Sequence, residues 1–220
     1  MPTYSHETYL ALVLSSRAHA KILSVDASAA LEMPNVLTYV DHRDLPSPKA
    51  NVWGAAAKDE LFFAVDEVTS HGGIIGAIVA TNKLDAQKAA RAVKIEYEDL
   101  PKVLTVKEAI AANSFHETYN RRIARGDKIE DALANSEVVI EGETSMGGQE
   151  QFYLETFACL VVPKNEAGEM EIWSSTQALT ETQHTAAQVT GMPRNRIVTR
   201  AKRLGGGFGG KESRTSLVRS

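Results

Sequence analysis

A single cysteine, Cys159, stands among the 220 residues of this chain. That excludes an internal disulfide and any metal cluster built on several thiolates of this chain, and it points to a reducing compartment. Cys159 lies among strand-like residues and reads as a small buried hydrophobe. No apolar run approaches the roughly 18 residues of a membrane span. No charged region followed by an apolar core opens the chain, so no secretory leader is predicted. Basic tracts are missing too. Arg121-Arg122 and Lys202-Arg203 are mere pairs, and 24 Lys and Arg against 28 Asp and Glu leave a formal net charge of -4. Neither nucleic acid nor a membrane is an expected partner. The histidines (His6, His19, His42, His71, His116 and His184) show no ligand spacing, and no repeat or low-complexity segment is present. What remains is ordinary globular composition, 43% hydrophobic and 24% charged, long enough to bury a core and to hold one or two domains.

The first half alternates strand and helix patterns. Strands are expected at residues 9–14, 21–25 and 36–40. Asp26 is placed to cap a short helix over 27–32, ended by Pro34, and Pro46, Ser47 and Pro48 mark a loop. The clearest unit runs from Gly72 to Leu100. Residues 74–80 are apolar, β-branched and short, as a buried strand should be. Asn82 and Asp85 have capping spacing, Ala86, Ala89, Ala90 and Val93 recur at helical spacing, and 94–98 alternate strictly. Together they predict a small α/β layer. Residues 113–127 are polar and aperiodic and read as a linker. Beyond it, strands are expected at 137–143, 152–162, 170–174 and 196–202. A helix is expected over 180–190, stopped by Gly191 and Pro193.

The most informative stretch lies near the end, R-L-G-G-G-F-G-G-K-E-S-R at 203–214, five glycines around one aromatic. Glycine at this density marks a strained backbone or one whose amides touch something closely. Gly205, Gly207 and Gly210 fit G-x-G-x-x-G, and 205–211 fit G-x-x-x-x-G-K. A phosphate loop, however, needs Ser or Thr after the lysine, and Glu212 stands there instead. A dinucleotide fold needs a further helix, strand and acidic residue. A nucleotide-binding module on this loop therefore stays only as an alternative, beside a plain glycine turn and a non-catalytic assembly domain.

Two other segments stand out with it: G-G-Q-E-Q-F-Y-L-E-T at 147–156 and S-S-T-Q at 174–177, the latter at a strand-to-helix corner of the kind that presents polar groups to ligands. In this order, and with R-A-H-A-K-I at 17–22 and K-I-E-Y-E-D-L-P at 94–101, they resemble the molybdenum hydroxylase family. Within it they resemble the xanthine dehydrogenases and oxidases, over nearly the whole chain. The resemblance implies an α+β chain. Residues 1–112 would form the aldehyde oxidase/xanthine dehydrogenase α/β hammerhead domain, 113–127 the linker, and 128–220 the first part of the molybdopterin-binding α+β domain. It implies an oxidoreductase that takes hypoxanthine to xanthine and xanthine to urate at a molybdenum–molybdopterin centre, with oxygen from water. Electrons would pass through 2Fe-2S clusters and FAD to NAD+ or oxygen, in a homodimeric parent of the cytoplasm or peroxisome. An aldehyde oxidase is the alternative within the family.

The same resemblance assigns roles. Gln177 matches the glutamine that hydrogen-bonds a molybdenum oxo ligand, a task suited to an uncharged donor; its alternative is a polar cap near a helix. Phe208 and Gly209 match loop residues against the molybdenum ligand sphere, the alternative for Phe208 being a core aromatic. Glu212 matches a substrate-orienting glutamate of the xanthine-using members, since a carboxyl can pair with the N–H groups of a purine edge. Its alternative is a glutamate at a helix N-terminus. Gln149, Glu150 and Glu155 would line the cofactor channel or hold structure. Lys211 would neutralise cofactor charge or pair with Glu212. In place of the family's Gly-Gln or Gly-His before Ile-Ile-Gly the chain has His71-Gly72-Gly73, so no role is assigned there and His71 reads as a turn or surface residue. The family's catalytic glutamate and a substrate-binding arginine would lie downstream, and its iron–sulfur and FAD domains upstream. The chain therefore reads as a fragment, with no catalytic base of its own and inactive alone.

Overall fold

The computed structural model describes residues 4–54, 58–116, 123, 125–126, 128–164 and 168–214. The chain divides into two units, Met1–Lys102 together with Gln151–Ser220, and Val103–Glu150.

In the first unit, ten short elements follow one another: β1 (Tyr9–Leu14), β2 (Ala20–Asp26), α1 (Ser28–Leu31), β3 (Val36–Val40), β4 (Val52–Trp53), β5 (Glu60–Leu61), β6 (Glu67–Val68), β7 (Ile74–Ala80), α2 (Lys83–Ala92) and β8 (Lys94–Asp99). Two antiparallel sheets result, ordered β1-β7-β3 and β6-β2-β8, with β4 and β5 as a separate pair. The apolar run of β7 is central because both its faces are covered. Ile78 packs with Val13, Ala30, Ala89 and Ala90, and Ile75 with Ala20 and Val68.

The helix α2 starts where its sequence says it should. Asn82 Oδ1 accepts the Asp85 N–H at 2.9 Å, satisfying one of the orphan donors of the first turn. The Asp26 carboxylate accepts the Ser28 N–H at 2.9 Å, but α1 is shorter than the helix expected over 27–32 and its cap position falls on Ala27, which has no side-chain cap. The strand–helix–strand unit of Gly72 to Leu100 nevertheless does not make one sheet. β1 and β3 occupy both edges of β7, so β8 has no edge there to join and pairs with β2 instead.

The second unit, described by itself, carries two helices. α3 (Val106–Ala111) is held by a reciprocal capping box between Thr105 and Glu108, and α4 (Ile129–Ala134) follows. Most of the expected linker lies outside the described residues. The strand expected over 137–143 does not form: Val138 is 73% and Ile140 89% exposed, with no partner strand among the described residues. Alternation without an edge to pair with does not make a strand.

The first unit resumes with β9 (Cys159–Lys164), β10 (Glu169–Ser174), α5 (Leu179–Thr190) and β11 (Ile197–Arg200). β9 and β10 are antiparallel, β10 and β11 parallel with α5 as the crossover, and Ile172, Ala186 and Ile197 fill the space between. Gly191 ends α5 in the left-handed region at φ 71°, the backbone glycine supplies most cheaply. The strand expected from residue 152 begins only at Cys159, because Phe152 has φ 48° and cannot extend a ladder. Cys159 is half-buried at the edge of that core rather than inside it.

Helix α5 is fastened to the β4–β5 region. Gln188 Nε2 donates to the Val52 carbonyl at 2.6 Å and the Ala50 carbonyl at 3.1 Å, and Val189 packs on the buried trio Trp53, Phe62 and Phe63. Buried Asn51 acts as a substitute strand residue. Its amide donates to the Phe63 carbonyl at 2.8 Å and accepts the Phe63 N–H at 2.9 Å.

Candidate functional site

The glycine loop folds back onto two segments that are remote in sequence. From one side comes 151–157. Glu155 donates its backbone N–H to the Gly205 carbonyl at 3.2 Å, and its Oε2 accepts the Gly205 N–H at 2.9 Å. From the other comes the corner between β10 and α5. There the Gln177 N–H donates to the Lys211 carbonyl at 2.9 Å, and Thr176 Oγ1 donates to the same oxygen at 3.2 Å. Close approach explains the glycines. A Cβ on Gly205 would lie 2.5 Å from the Glu155 Cβ, and one on Gly207 2.5 Å from Gln177 Oε1. A side chain at either place would force its neighbour to move.

Gln177 is exposed and orients itself by a definite bond, since its Oε1 accepts the Gly209 N–H at 3.0 Å. A backbone N–H can only donate, so the amide oxygen is fixed toward the loop and the NH2 group is what Gln177 has left to offer outward. Gly209 sits at φ 85° with open space where a Cβ would be. Phe208, between them, is 72% exposed at φ 47°. It is no core aromatic. Left-handed backbone costs a non-glycine residue about 1–2 kcal/mol, and burial within the described chain does not repay it.

Glu212 is exposed in a turn rather than at a helix start, its N–H donating to the Gly209 carbonyl at 3.2 Å. It lines a cavity of about 590 Å³ with Trp53 and Lys58 from the β4–β5 region, Glu181 and His184 from α5, and Arg194, within the size range of small-ligand pockets. Gln177 and Phe208 are not in its lining. The structure thus joins Gln177 to Gly209, leaves the Phe208 ring exposed over Gly206, and places Glu212 in the lining of the cavity. A larger space of about 1150 Å³ along β1 and α2 contains none of the expected site residues.

Lys211 does not pair with Glu212. Its side chain is fully buried, with Nζ donating to Glu155 Oε2 at 2.7 Å and lying 5.0 Å from the Tyr153 ring centroid. Lys211, then the Gly205 N–H, hold the Glu155 carboxyl below its usual range. Gln149 and Glu150 are exposed in the 103–150 unit. Trp53, His184 and Arg194 carried no signal in the sequence, and neither did Arg214, which pairs with Glu60 at 2.8 Å and stacks over Trp53. Among the described residues no group of three or more His, Cys, Asp or Glu side chains gathers to hold a metal. An uncharged amide donor, a strained exposed aromatic and close-packed backbone fit a bulky cofactor that carries its own metal. They fit a nucleotide phosphate less well, because the Gly205, Gly209, Gly210 and Glu212 amides are already spent on Glu155, Gln177, Gly207 and Gly209. Among the described residues no helix is long and apolar enough to cross a membrane.

The sequence matches two families in succession: the aldehyde oxidase and xanthine dehydrogenase a/b hammerhead domain over residues 1–101, and the molybdopterin cofactor-binding domain over 111–219. It is 58% identical over 215 residues to a xanthine dehydrogenase of Emericella nidulans, covering 98% of this chain and 16% of that protein. To a nicotinate hydroxylase of the same organism it is 50% identical over 218 residues, covering 98% of this chain and 16% of the relative. The chain therefore spans about one-sixth of the length of these relatives. Its fold is similar to that of quinoline 2-oxidoreductase from Pseudomonas putida 86, with a TM-score of 0.82 at 24% identity over 99% of this chain and 29% of the other.

Proposed function

Since the chain belongs to the aldehyde oxidase and xanthine dehydrogenase family, we propose that it forms one wall of a molybdenum hydroxylase active site whose substrates are purines. The observation that carries this is the juxtaposition just described. An amide bonded to the loop through its oxygen, a strained exposed phenylalanine and the glycine that follows it lie within one short loop, and the carboxylate three residues on lines a cavity of ligand size.

Bound there, the molybdenum–molybdopterin group supplies two-electron redox chemistry. The chain's own part is to hold and to aim. Gln177 donates its NH2 toward the group's outer ligands and adds no charge. Phe208 walls that side with an apolar ring that keeps water away. Gly209 lets the backbone come close. Glu212 accepts N–H groups from the ring that enters the cavity and fixes which edge faces the metal. An aldehyde offers no such donors, which favours the purine over the aldehyde reading. The greater identity to the xanthine dehydrogenase than to the nicotinate hydroxylase supports the same choice, and a carboxylate facing the anionic nicotinate would repel it.

In the whole protein, hypoxanthine would pass to xanthine and xanthine to urate. Electrons would leave through 2Fe-2S clusters and FAD to NAD+ or oxygen, in a homodimer of the cytoplasm or peroxisome. The test is Glu212→Gln in the full-length protein, with turnover of xanthine, hypoxanthine, nicotinate and benzaldehyde measured beside molybdenum content. Purine turnover should fall on the order of 100-fold or more, as when a polar substrate contact is lost, with molybdenum retained. Unchanged purine turnover would remove Glu212 from the site, and nicotinate as the favoured wild-type substrate would replace the purine reading.

A further inference from the structure

Lys211 is an unusual residue to bury. Its side chain has no exposed surface, and an ammonium taken out of water is costly unless paired and hydrogen-bonded. An apolar side chain of the same length would stabilise the fold at least as well, so a buried ion pair is weak evidence of a device for stability. Geometry gives the pair another use. Glu155 Oε2 accepts from Lys211 Nζ at 2.7 Å and from the Gly205 N–H at 2.9 Å. One oxygen therefore ties the first residue of the loop to the last. The Tyr153 ring closes over the ammonium and meets Phe157 edge-on at 5.3 Å. From the far side, the Lys211 carbonyl receives the Gln177 N–H while Gln177 Oε1 holds the Gly209 N–H. These bonds of the loop to its surroundings all lie within a residue or two of this pair.

We propose that Glu155 and Lys211 are positioning residues: their ion pair sets the separation of the loop's two ends, and through it the placement of Phe208 and the aim of Gln177 toward the cofactor. This rests on the cofactor reading given above. The roles are asymmetric. Glu155 is 38% exposed and finds water when its partner is removed, whereas Lys211 is 0% exposed and finds none. Lys211→Met therefore leaves the fold in place while freeing the loop. Glu155→Gln takes the carboxylate away from a buried ammonium and lowers stability, and the double variant Glu155→Gln/Lys211→Met recovers that stability without recovering the loop.

The experiment compares these three variants with wild type in the full-length protein. It measures thermal unfolding, molybdenum per chain, kcat and KM for xanthine, and amide hydrogen exchange of peptides spanning 203–212. The double variant is expected to melt close to wild type and to retain molybdenum. Its loop amides should exchange about tenfold faster, since a lost local constraint lowers protection. Its kcat should fall on the order of 10- to 100-fold, the penalty of misplacing reacting groups by about an ångström, with KM changed far less. A folded double variant whose loop exchange and kcat both stay within about twofold of wild type overturns the proposal. Wild type that carries no molybdenum overturns the cofactor reading and this inference with it, so the two failures are told apart by the wild-type metal content.

Discussion

Gly207→Ala isolates one contact. Gly207 is not in the left-handed region, so alanine pays no backbone strain there. Its whole effect comes from the new methyl, 2.5 Å from Gln177 Oε1 and 2.6 Å from Gln177 Cδ. Gln177 must swing away and surrender the 3.0 Å bond from the Gly209 N–H. Overpacking of this kind costs about 1–3 kcal/mol and a lost bond about 1 kcal/mol, together roughly 2–4 kcal/mol. In a chain of this size that is a fall in Tm on the order of 5–10 °C. Gln177→Ala removes the atoms that clash, so in its background the Gly207 change should cost less than about 0.5 kcal/mol. The double-mutant cycle should then show a coupling of about 1.5–4 kcal/mol. Gly209→Ala serves as the control: with φ 85° and nothing within 4 Å of its Cβ, it adds backbone strain alone, about 1–2 kcal/mol, and should not couple to Gln177. Thermal unfolding of the single and double variants provides the numbers, and xanthine turnover in the full-length protein should drop in every variant that moves or removes Gln177. Additivity of Gly207→Ala and Gln177→Ala to within about 0.5 kcal/mol would refute the reasoning, since the glycine would then be there for something other than the glutamine.

Asn51→Ala leaves the Phe63 N–H and C=O buried without their partner, a loss of about 2–4 kcal/mol that thermal unfolding should register as a clear fall in Tm. An unchanged Tm would mean that water or a neighbouring strand takes its place. His19 gives a pH dependence of known sign. Its ring is held by the Pro101 carbonyl and by Glu67 at 2.8 Å, which raise its pKa from the usual 6.5. The stabilisation is therefore complete below about pH 6.5 and fades as pH rises through the raised value. His19→Gln should trail wild type in thermal stability by more at pH 5.5 than at about pH 8.5, and an equal gap at both would show that the imidazolium contributes nothing.

Local rules were legible in the sequence, and pairing was not. The Asn82 cap, the alanine face of α2 and the Gly191 stop of α5 each depend on neighbours within four residues, so their signals survive in a short window. Whether 137–143 becomes a strand depends on an edge to join, which no window contains; its Val138 and Ile140 carry strand propensity and remain exposed. The same limit explains why β7 and β8, close in sequence, part into separate sheets, and why two-residue strands such as β4 and β5 leave no period to read.

The site divides along the same line. Five glycines around Phe208 announce a backbone under constraint, and Gln177 and Glu212 were assigned by resemblance to the same loop. What the sequence could not supply is the agent of constraint. Lys211 has an acidic neighbour one residue away in Glu212, yet its partner is Glu155, 56 positions earlier. Proximity in sequence gives no advantage here because Glu212 is exposed, while Glu155 meets the buried ammonium and the Gly205 amide with the same oxygen. A buried cation selects the carboxylate that satisfies the most donors at once, and that choice is made by the folded backbone. Phe208 turns left-handed between Gly206 at φ 92° and Gly209 at φ 85°, so the loop places its one aromatic in a backbone that its glycine neighbours adopt without strain.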